Sequence, residues 1–190
     1  MEIKKPSLEE VNSVDLSPIF SLFKFFPEVK NGDINYLDRP AGTEHYKLLG
    51  WLSNQINNSI ISEIGTCDGM GLLALSLNKS NKVISYDIQD YNLKHLVPEN
   101  GTRIICEKNF NYYDDIVKSS IIFYDANHNG NDEYNFFLEL KKLNWKGILI
   151  YDDIYLNDEM KNFWEKIDIS KEDWTDIGHL SCGTGAIFFN

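Results

Sequence analysis

The chain has 190 residues, a formal net charge of −11 and a pI of about 4.7. Hydrophobic residues at 43% and charged residues at 25% suit one globular domain with its own core and a short N-terminal extension. The acidic balance argues against nucleic acid as a partner, and no apolar run is long enough to span a membrane.

Residues 1–42 have weak periodicity. They carry an aromatic cluster (Phe20, Phe23, Phe25, Phe26) and turn signals at Pro27, Asn31-Gly32 and Pro40. The segment reads either as an extension packed on the core or as a lid over a site. The domain proper is expected over 43–190. Met1 to Glu10 is polar and has no apolar signal core. The cysteines Cys67, Cys106 and Cys182 are far apart and form no Cys-x-x-Cys pair, so neither a disulfide framework nor a zinc site is expected. A reducing cytoplasmic setting follows as the expectation, with Cys67 lining a pocket rather than reacting.

From residue 43 the pattern sharpens. Thr43 or Gly42 is placed to cap a helix with Leu48, Leu49, Leu52 and Ile56 on its apolar face. Strands are then predicted at 59–64, 82–87, 103–107, 120–125 and 147–152, alternating with helices at 70–78, 110–118, 131–143 and 157–167. Phe136, Leu140 and Leu143 share one helix face. Met160, Phe163, Trp164 and Ile167 share another, with Asn157 as its cap and Asp158 and Glu159 in the first turn. Ile121-Ile122-Phe123-Tyr124 and Ile148-Leu149-Ile150-Tyr151 are continuous apolar runs, the mark of strands covered on both faces and hence of a parallel sheet. Near the end, Trp174–His179 and Ala186–Phe189 read as two strands joined through Ser181-Cys182-Gly183-Thr184-Gly185. That makes an antiparallel hairpin finishing an otherwise parallel sheet.

Ligands of open α/β sheets bind beyond the carboxyl ends of the strands, so those ends carry the functional reading. The first strand runs into Ser62-Glu63-Ile64-Gly65-Thr66-Cys67-Asp68-Gly69-Met70-Gly71, a strand, a tight glycine turn and a helix start. Glu63 would repel a pyrophosphate. It suits a cofactor that carries an ammonium and a sulfonium, as S-adenosylmethionine (SAM) does. The second strand ends in Asp87, 24 residues after Glu63, where an acid can chelate a ribose diol. The fourth ends in Asp125-Ala126-Asn127-His128 and the fifth in Asp152-Asp153. If these two strands are neighbours, Asp125, Asp152 and Asp153 converge. Crowded carboxylates repel unless a cation neutralises them, and oxygen ligands suit Mg2+, Ca2+ or Mn2+. The competing reading is that one acid caps a helix or pairs with a lysine. His128, three residues after Asp125, is placed to take a proton from a hydroxyl. His45, His95 and His179 lack such context and read as structural.

Glu63-Ile64-Gly65-Thr66 with Gly69 and Gly71 resembles the first motif of class I SAM-dependent methyltransferases. The Asp125–His128 segment, the following helix and Lys146-Gly147-Ile148-Leu149-Ile150-Tyr151-Asp152-Asp153-Ile154 resemble one branch of that family. It is the branch of small single-domain enzymes related to macrocin O-methyltransferase and, more distantly, catechol O-methyltransferase. The likeness covers roughly 43–190. It implies a Rossmann-like three-layer sandwich, with a seven-stranded, mostly parallel sheet and an antiparallel C-terminal strand. It also implies SAM contacts from Glu63, Gly65, Thr66, Gly69, Gly71, Asp87, Ile88 and Asp125, and a divalent cation, Mg2+ or another, at Asp125, Asp152 and Asp153. Asp125 and His128 would be the catalytic pair. The His128 position holds lysine in the catechol enzymes, and one glycine, Gly147, stands where many relatives have two.

The resulting expectation is O-methylation of a small hydroxylated acceptor. An NAD-dependent oxidoreductase on a similar sheet is the enzymatic rival. Short-chain dehydrogenases, however, need a Tyr-x-x-x-Lys pair, and none of the ten tyrosines has a lysine four residues later. A non-catalytic SAM-binding domain is the other rival, with the aromatic N-terminal segment as an interface, for a homodimer in the simplest case. A nucleic-acid methyltransferase is disfavoured by the charge and by the lack of an Asn/Asp-Pro-Pro-Tyr/Phe motif.

Overall fold

The computed structural model describes residues 3–19, 37–90, 97–106 and 113–190. Seven strands form one sheet: β1 (Ile60–Ile64), β2 (Lys82–Asp87), β3 (Gly101–Ile105), β4 (Ile121–Tyr124), β5 (Gly147–Asp152), β6 (Lys171–Asp173) and β7 (Thr184–Phe189). Their order is β3-β2-β1-β4-β5-β7-β6, and only β7 runs antiparallel to its neighbours. The described helices are α1 (Leu8–Asn12), α2 (Tyr46–Asn54), α3 (Met70–Leu75), α4 (Tyr113–Ile116), α5 (Asn131–Lys142) and α6 (Asp158–Lys166).

The continuous apolar strands resolve into two buried faces with a period of two. Ile121, Phe123, Ile148 and Ile150 pack with Leu48, Leu49 and Leu52 of α2 and with Leu72, Leu73 and Leu75 of α3. Ile122, Tyr124, Leu149 and Tyr151 pack on the other face with Phe136, Phe137 and Leu140 of α5 and with Met160, Phe163 and Trp164 of α6. The result is the three-layer α/β Rossmann-like sandwich that the family resemblance implies.

Several local expectations shift. The first long helix starts at Tyr46, and its N-cap is His45 without a side-chain bond, not Thr43 or Gly42. The α5 face is Phe136, Phe137 and Leu140, because Leu143 lies beyond the helix and is exposed. Trp174–His179 is not a strand. The Trp174 side chain is fully buried and its carbonyl accepts from the N–H groups of Ile177 and Gly178, which turns the chain there. The edge strand β6 is instead Lys171–Asp173. α6 starts as expected, with Asn157 accepting from the Met160 N–H at 2.8 Å.

The described part of residues 1–42 packs on the core: Val11, Leu16, Ile19 and Leu37 are buried with α2 and α3. The aromatic cluster at Phe20, Phe23, Phe25 and Phe26 lies outside the described residues, as does His95.

Candidate functional site

The sheet register sets the site. Ile64 stands opposite both Tyr86 and Tyr124, and Tyr124 opposite Tyr151. The next residues along β1, β2, β4 and β5 are Gly65, Asp87, Asp125 and Asp152, so one row of strand ends carries them all. Strain gathers there too. Among the described residues, six non-glycines have positive φ, and four of them, Cys67, Asn127, His128 and Asp153, follow these strand ends. Left-handed backbone at such residues is sparsely populated and concentrates at functional positions.

The β1 end is compact. Gly65 has φ of 88°, and a Cβ there would lie 1.9 Å from the Asp125 carbonyl oxygen, so only glycine lets the two strand ends meet. Glu63 is buried and aims at α3: a Cβ on Gly71 would stand 1.9 Å from its Oε1. Its Oε2 accepts from the Ser85 hydroxyl, which also bonds the Thr66 hydroxyl. No lysine or arginine pairs with Glu63 among the described residues. Burial therefore pushes its carboxyl up to about 8, against the Ser85 hydrogen bond that favours the anion. Asp87 Oδ2 accepts from the N–H groups of Thr66 and Cys67 at 2.8 and 2.9 Å, fastening the glycine turn to the end of β2. Ile88 beside it is exposed. Gly69 has φ of 87° and is the N-cap of α3.

The β4 and β5 ends bring histidines among the carboxylates. His128 Nε2 lies 3.3 Å from Asp125 Oδ1 and 3.7 Å from Asp153 Oδ2. The Asp125 carboxylate raises its pKa, against the effect of burial. The His128 backbone is pinned on both sides: its N–H donates to Glu133 Oε1 at 3.0 Å, and its carbonyl accepts from the Asn157 side chain at 2.9 Å. Asp152 is buried and accepts from the Thr184 hydroxyl at 3.2 Å. His45 Nδ1 stands 3.1 Å from Asp152 Oδ2, and His179 Nδ1 stands 3.6 Å from the same oxygen and 3.3 Å from Asp153 Oδ1. Burial opposes charge on His45, but Asp152, with Asp125 and Glu44 behind it, raises its pKa to about 9. The facing Asp152 and Asp153 carboxylates raise His179 to about 11. Asp152 is held well below the usual carboxylate range, since the two imidazoles more than offset the upward push of its burial.

The three acids of the sequence reading are thus not one isolated trio. Donor atoms of Asp125 and Asp152 group with His45, all within 4.8 Å of one another, whereas Asp153 groups with His179 and Cys182. Sequence reading left His45 and His179 as structural, and the fold seats both against Asp152. They meet because Gly42 and His179 form an isolated bridge and the Leu180 N–H donates to the Gly42 carbonyl. That contact joins the segment before α2 to the β6–β7 connection, and no local spacing signals it. Glu133, five residues after His128, and Ser85, on the strand beside β1, hold His128 and Glu63, and no motif in the sequence marks either. No helix among the described residues is long and apolar enough to cross a membrane.

No protein-family model matches the chain, and no curated protein matches it. Solved structures do resemble it. The SAH-bound methyltransferase PaMTH1 of Podospora anserina aligns over 93% of this chain and 88% of its own, with a TM-score of 0.59 and 12% identity. A putative caffeoyl-CoA O-methyltransferase from Staphylococcus aureus aligns over 96% of both chains, with a TM-score of 0.58 and 12% identity. Cofactor-bound Rv0187 from MTB covers 100% and 99%, with a TM-score of 0.57 and 13% identity. At these identities the likeness is one of fold: the seven-stranded α/β architecture of this chain, with its antiparallel β7, aligns along most of its length with these solved structures.

Proposed function

We propose that the chain is a SAM-dependent methyltransferase acting on a hydroxyl of a small molecule. The observation that carries this reading is Glu63, a buried carboxyl that pairs with no lysine or arginine among the described residues, aimed at Gly71 beside a glycine turn that Asp87 fastens. That arrangement fits the cationic end of SAM. Glu63, Gly65, Thr66, Gly69 and Gly71 would face its methionine part, and Asp87, with Ile88 next to it, the ribose. SAM would supply a methyl group already activated by positive sulfur. The protein's part is alignment, which accounts for most of the catalytic gain in such transfers.

His128 is the proton acceptor in this reading. Its backbone is held by Glu133 and Asn157, and its Nε2 is oriented by Asp125. With Nε2–H turned to Asp125, Nδ1 is the nitrogen left to accept a proton, as general-base catalysis requires. A divalent cation at Asp125 and Asp152, with Asp153 adjacent, would lower the pKa of the acceptor hydroxyl when bound. The orphaned His45 Nδ1 beside those acids is consistent with a bound ion there.

The test is methyl transfer from isotopically labelled SAM to a panel of phenols, sugars and hydroxylated macrocycles. His128→Gln should reduce turnover by roughly 100-fold or more, while binding of S-adenosylhomocysteine (SAH) is kept. Unchanged turnover in that variant would remove His128 from the chemistry. SAH binding without transfer to any acceptor class would favour the non-catalytic reading.

A further inference from the structure

The end of β5 holds three buried polar atoms that make no hydrogen bond: Nδ1 of His45, Nδ1 of His179 and Oδ1 of Asp153. Each has an oppositely charged neighbour within 3.3 Å, yet none is aligned for a hydrogen bond to it. His45 is the most telling, at 5% exposure. An unsatisfied buried donor or acceptor costs roughly 1–3 kcal/mol. His179 Nδ1 and Asp153 Oδ1 face each other at 3.3 Å, whereas His45 Nδ1 sits among the Asp125 and Asp152 carboxylates and calls for a ligand shared with them.

A metal ion fits the arrangement. Donors about 2.1 Å from one ion stand roughly 3–4 Å apart. His45, Asp125 and Asp152 offer three donor atoms within 4.8 Å of one another, so a small inward movement would close the shell. The three come from separate elements: the N-cap of α2, the end of β4 and the end of β5. None of them spaces the others along the chain, so helix capping or a local turn does not account for their meeting.

The donor set decides which ion. Mg2+ takes hard oxygen ligands and keeps several waters, and imidazole is a poor ligand for it. Mn2+, Fe2+, Co2+ and Zn2+ accept imidazole together with carboxylates. We infer that this site binds a divalent first-row transition cation through His45, Asp125 and Asp152, in preference to Mg2+. Asp153 then stands outside the shell with His179, so the ligand set differs from the all-carboxylate trio read from the sequence. The Asp152 carboxylate is shared between the ion and the Thr184 hydroxyl, which donates to its other oxygen and fixes its orientation. The inference deepens the metal part of the proposed function and concerns only the ion and its ligands.

The experiment uses the full chain after treatment with a chelator. Mn2+, Co2+, Zn2+ and Mg2+ are titrated singly by calorimetry, and SAH is titrated into the same samples. Mn2+ and Co2+ should bind saturably at one site, at least roughly 100-fold more tightly than Mg2+. Pulsed electron paramagnetic resonance of the Mn2+-loaded wild-type protein should show coupling to an imidazole nitrogen, a readout that needs no variant. His45→Gln should lower Mn2+ affinity by roughly 100-fold, whereas Asp153→Asn should change it less than tenfold. Saturable Mg2+ binding as tight as Mn2+, no nitrogen coupling, or unchanged Mn2+ affinity in a folded His45→Gln protein would each overturn the assignment. SAH binding with no cation binding would overturn this inference alone. Absence of both would overturn the methyltransferase reading as well.

Discussion

Two halves of one row of strand ends are built by opposite means. The β1–β2 half is local: Glu63, Gly65, Thr66, Gly69 and Gly71 lie within nine residues, and Asp87 closes the turn from the neighbouring strand. The β4–β5 half is assembled from four places in the chain: His45 ahead of α2, Asp125 and His128 after β4, Asp152 and Asp153 at β5, and His179 between β6 and β7. The first half depends on absent side chains, since glycines let backbone and carboxylate approach. The second depends on charges that balance one another inside the fold. Mutations should therefore affect the two halves through different terms.

The largest effect is expected at the seam between them. Gly65→Ala places a Cβ against the Asp125 carbonyl and leaves a left-handed backbone with a side chain. It should cost on the order of 3 kcal/mol in chemical denaturation and abolish SAH binding. A variant of wild-type stability would mean the strand ends do not meet as closely as described.

Asp152→Ala should follow at roughly 3 kcal/mol, because it leaves His45 buried without its counter-charge and the Thr184 hydroxyl without its acceptor. Its effect on SAH affinity should be much smaller than that of Gly65→Ala, which is the sharpest separation of the two halves. Equal loss of SAH binding in both variants would show that the halves act as one unit.

Burial raises the Glu63 carboxyl from an ordinary 4.5 to about 8, so the fold favours its protonated form. The stability from this group is fully present below about pH 4.5 and is lost as pH rises through about 8. Glu63→Gln should flatten that decline when denaturation is followed at successive pH values. A slope identical to wild type would show that ionisation of Glu63 carries no penalty. Ser85→Ala, which removes the hydroxyl shared by Glu63 and Thr66, should cost about 1–2 kcal/mol.

The smallest effect is expected at Asn157→Ala, about 1 kcal/mol for the lost helix cap. Because Asn157 also donates to the His128 carbonyl, turnover should fall more than stability does. A purely thermal effect with unaltered turnover would separate the cap from the site.

What could be read from the sequence follows the same division. Strand positions and the parallel sheet were legible because two-sided burial writes itself as unbroken apolar runs such as Ile148-Leu149-Ile150-Tyr151, while the antiparallel last strand came from the C-terminal hairpin pattern and the family resemblance. The glycine turn was legible because close backbone approach demands particular residues at short spacing, whereas the bonds from the Thr66 and Cys67 N–H groups to Asp87 were not. Trp174 was misread as the start of a strand because a buried aromatic in a turn has the same local composition as one in a strand. His45 and His179 gave no signal. Their pairing with Asp152 depends on the contact between Gly42 and the Leu180 N–H, some 138 positions apart, which only the assembled fold creates.

The central claim is that this row of strand ends holds a SAM-type cofactor, and calorimetric titration of SAH and NAD+ into the wild-type chain and Asp87→Ala tests it most directly. The account predicts SAH binding to the wild type, loss of at least tenfold in affinity in Asp87→Ala, and no heat from NAD+. Binding of NAD+ in preference to SAH, or SAH binding that ignores Asp87, would contradict it.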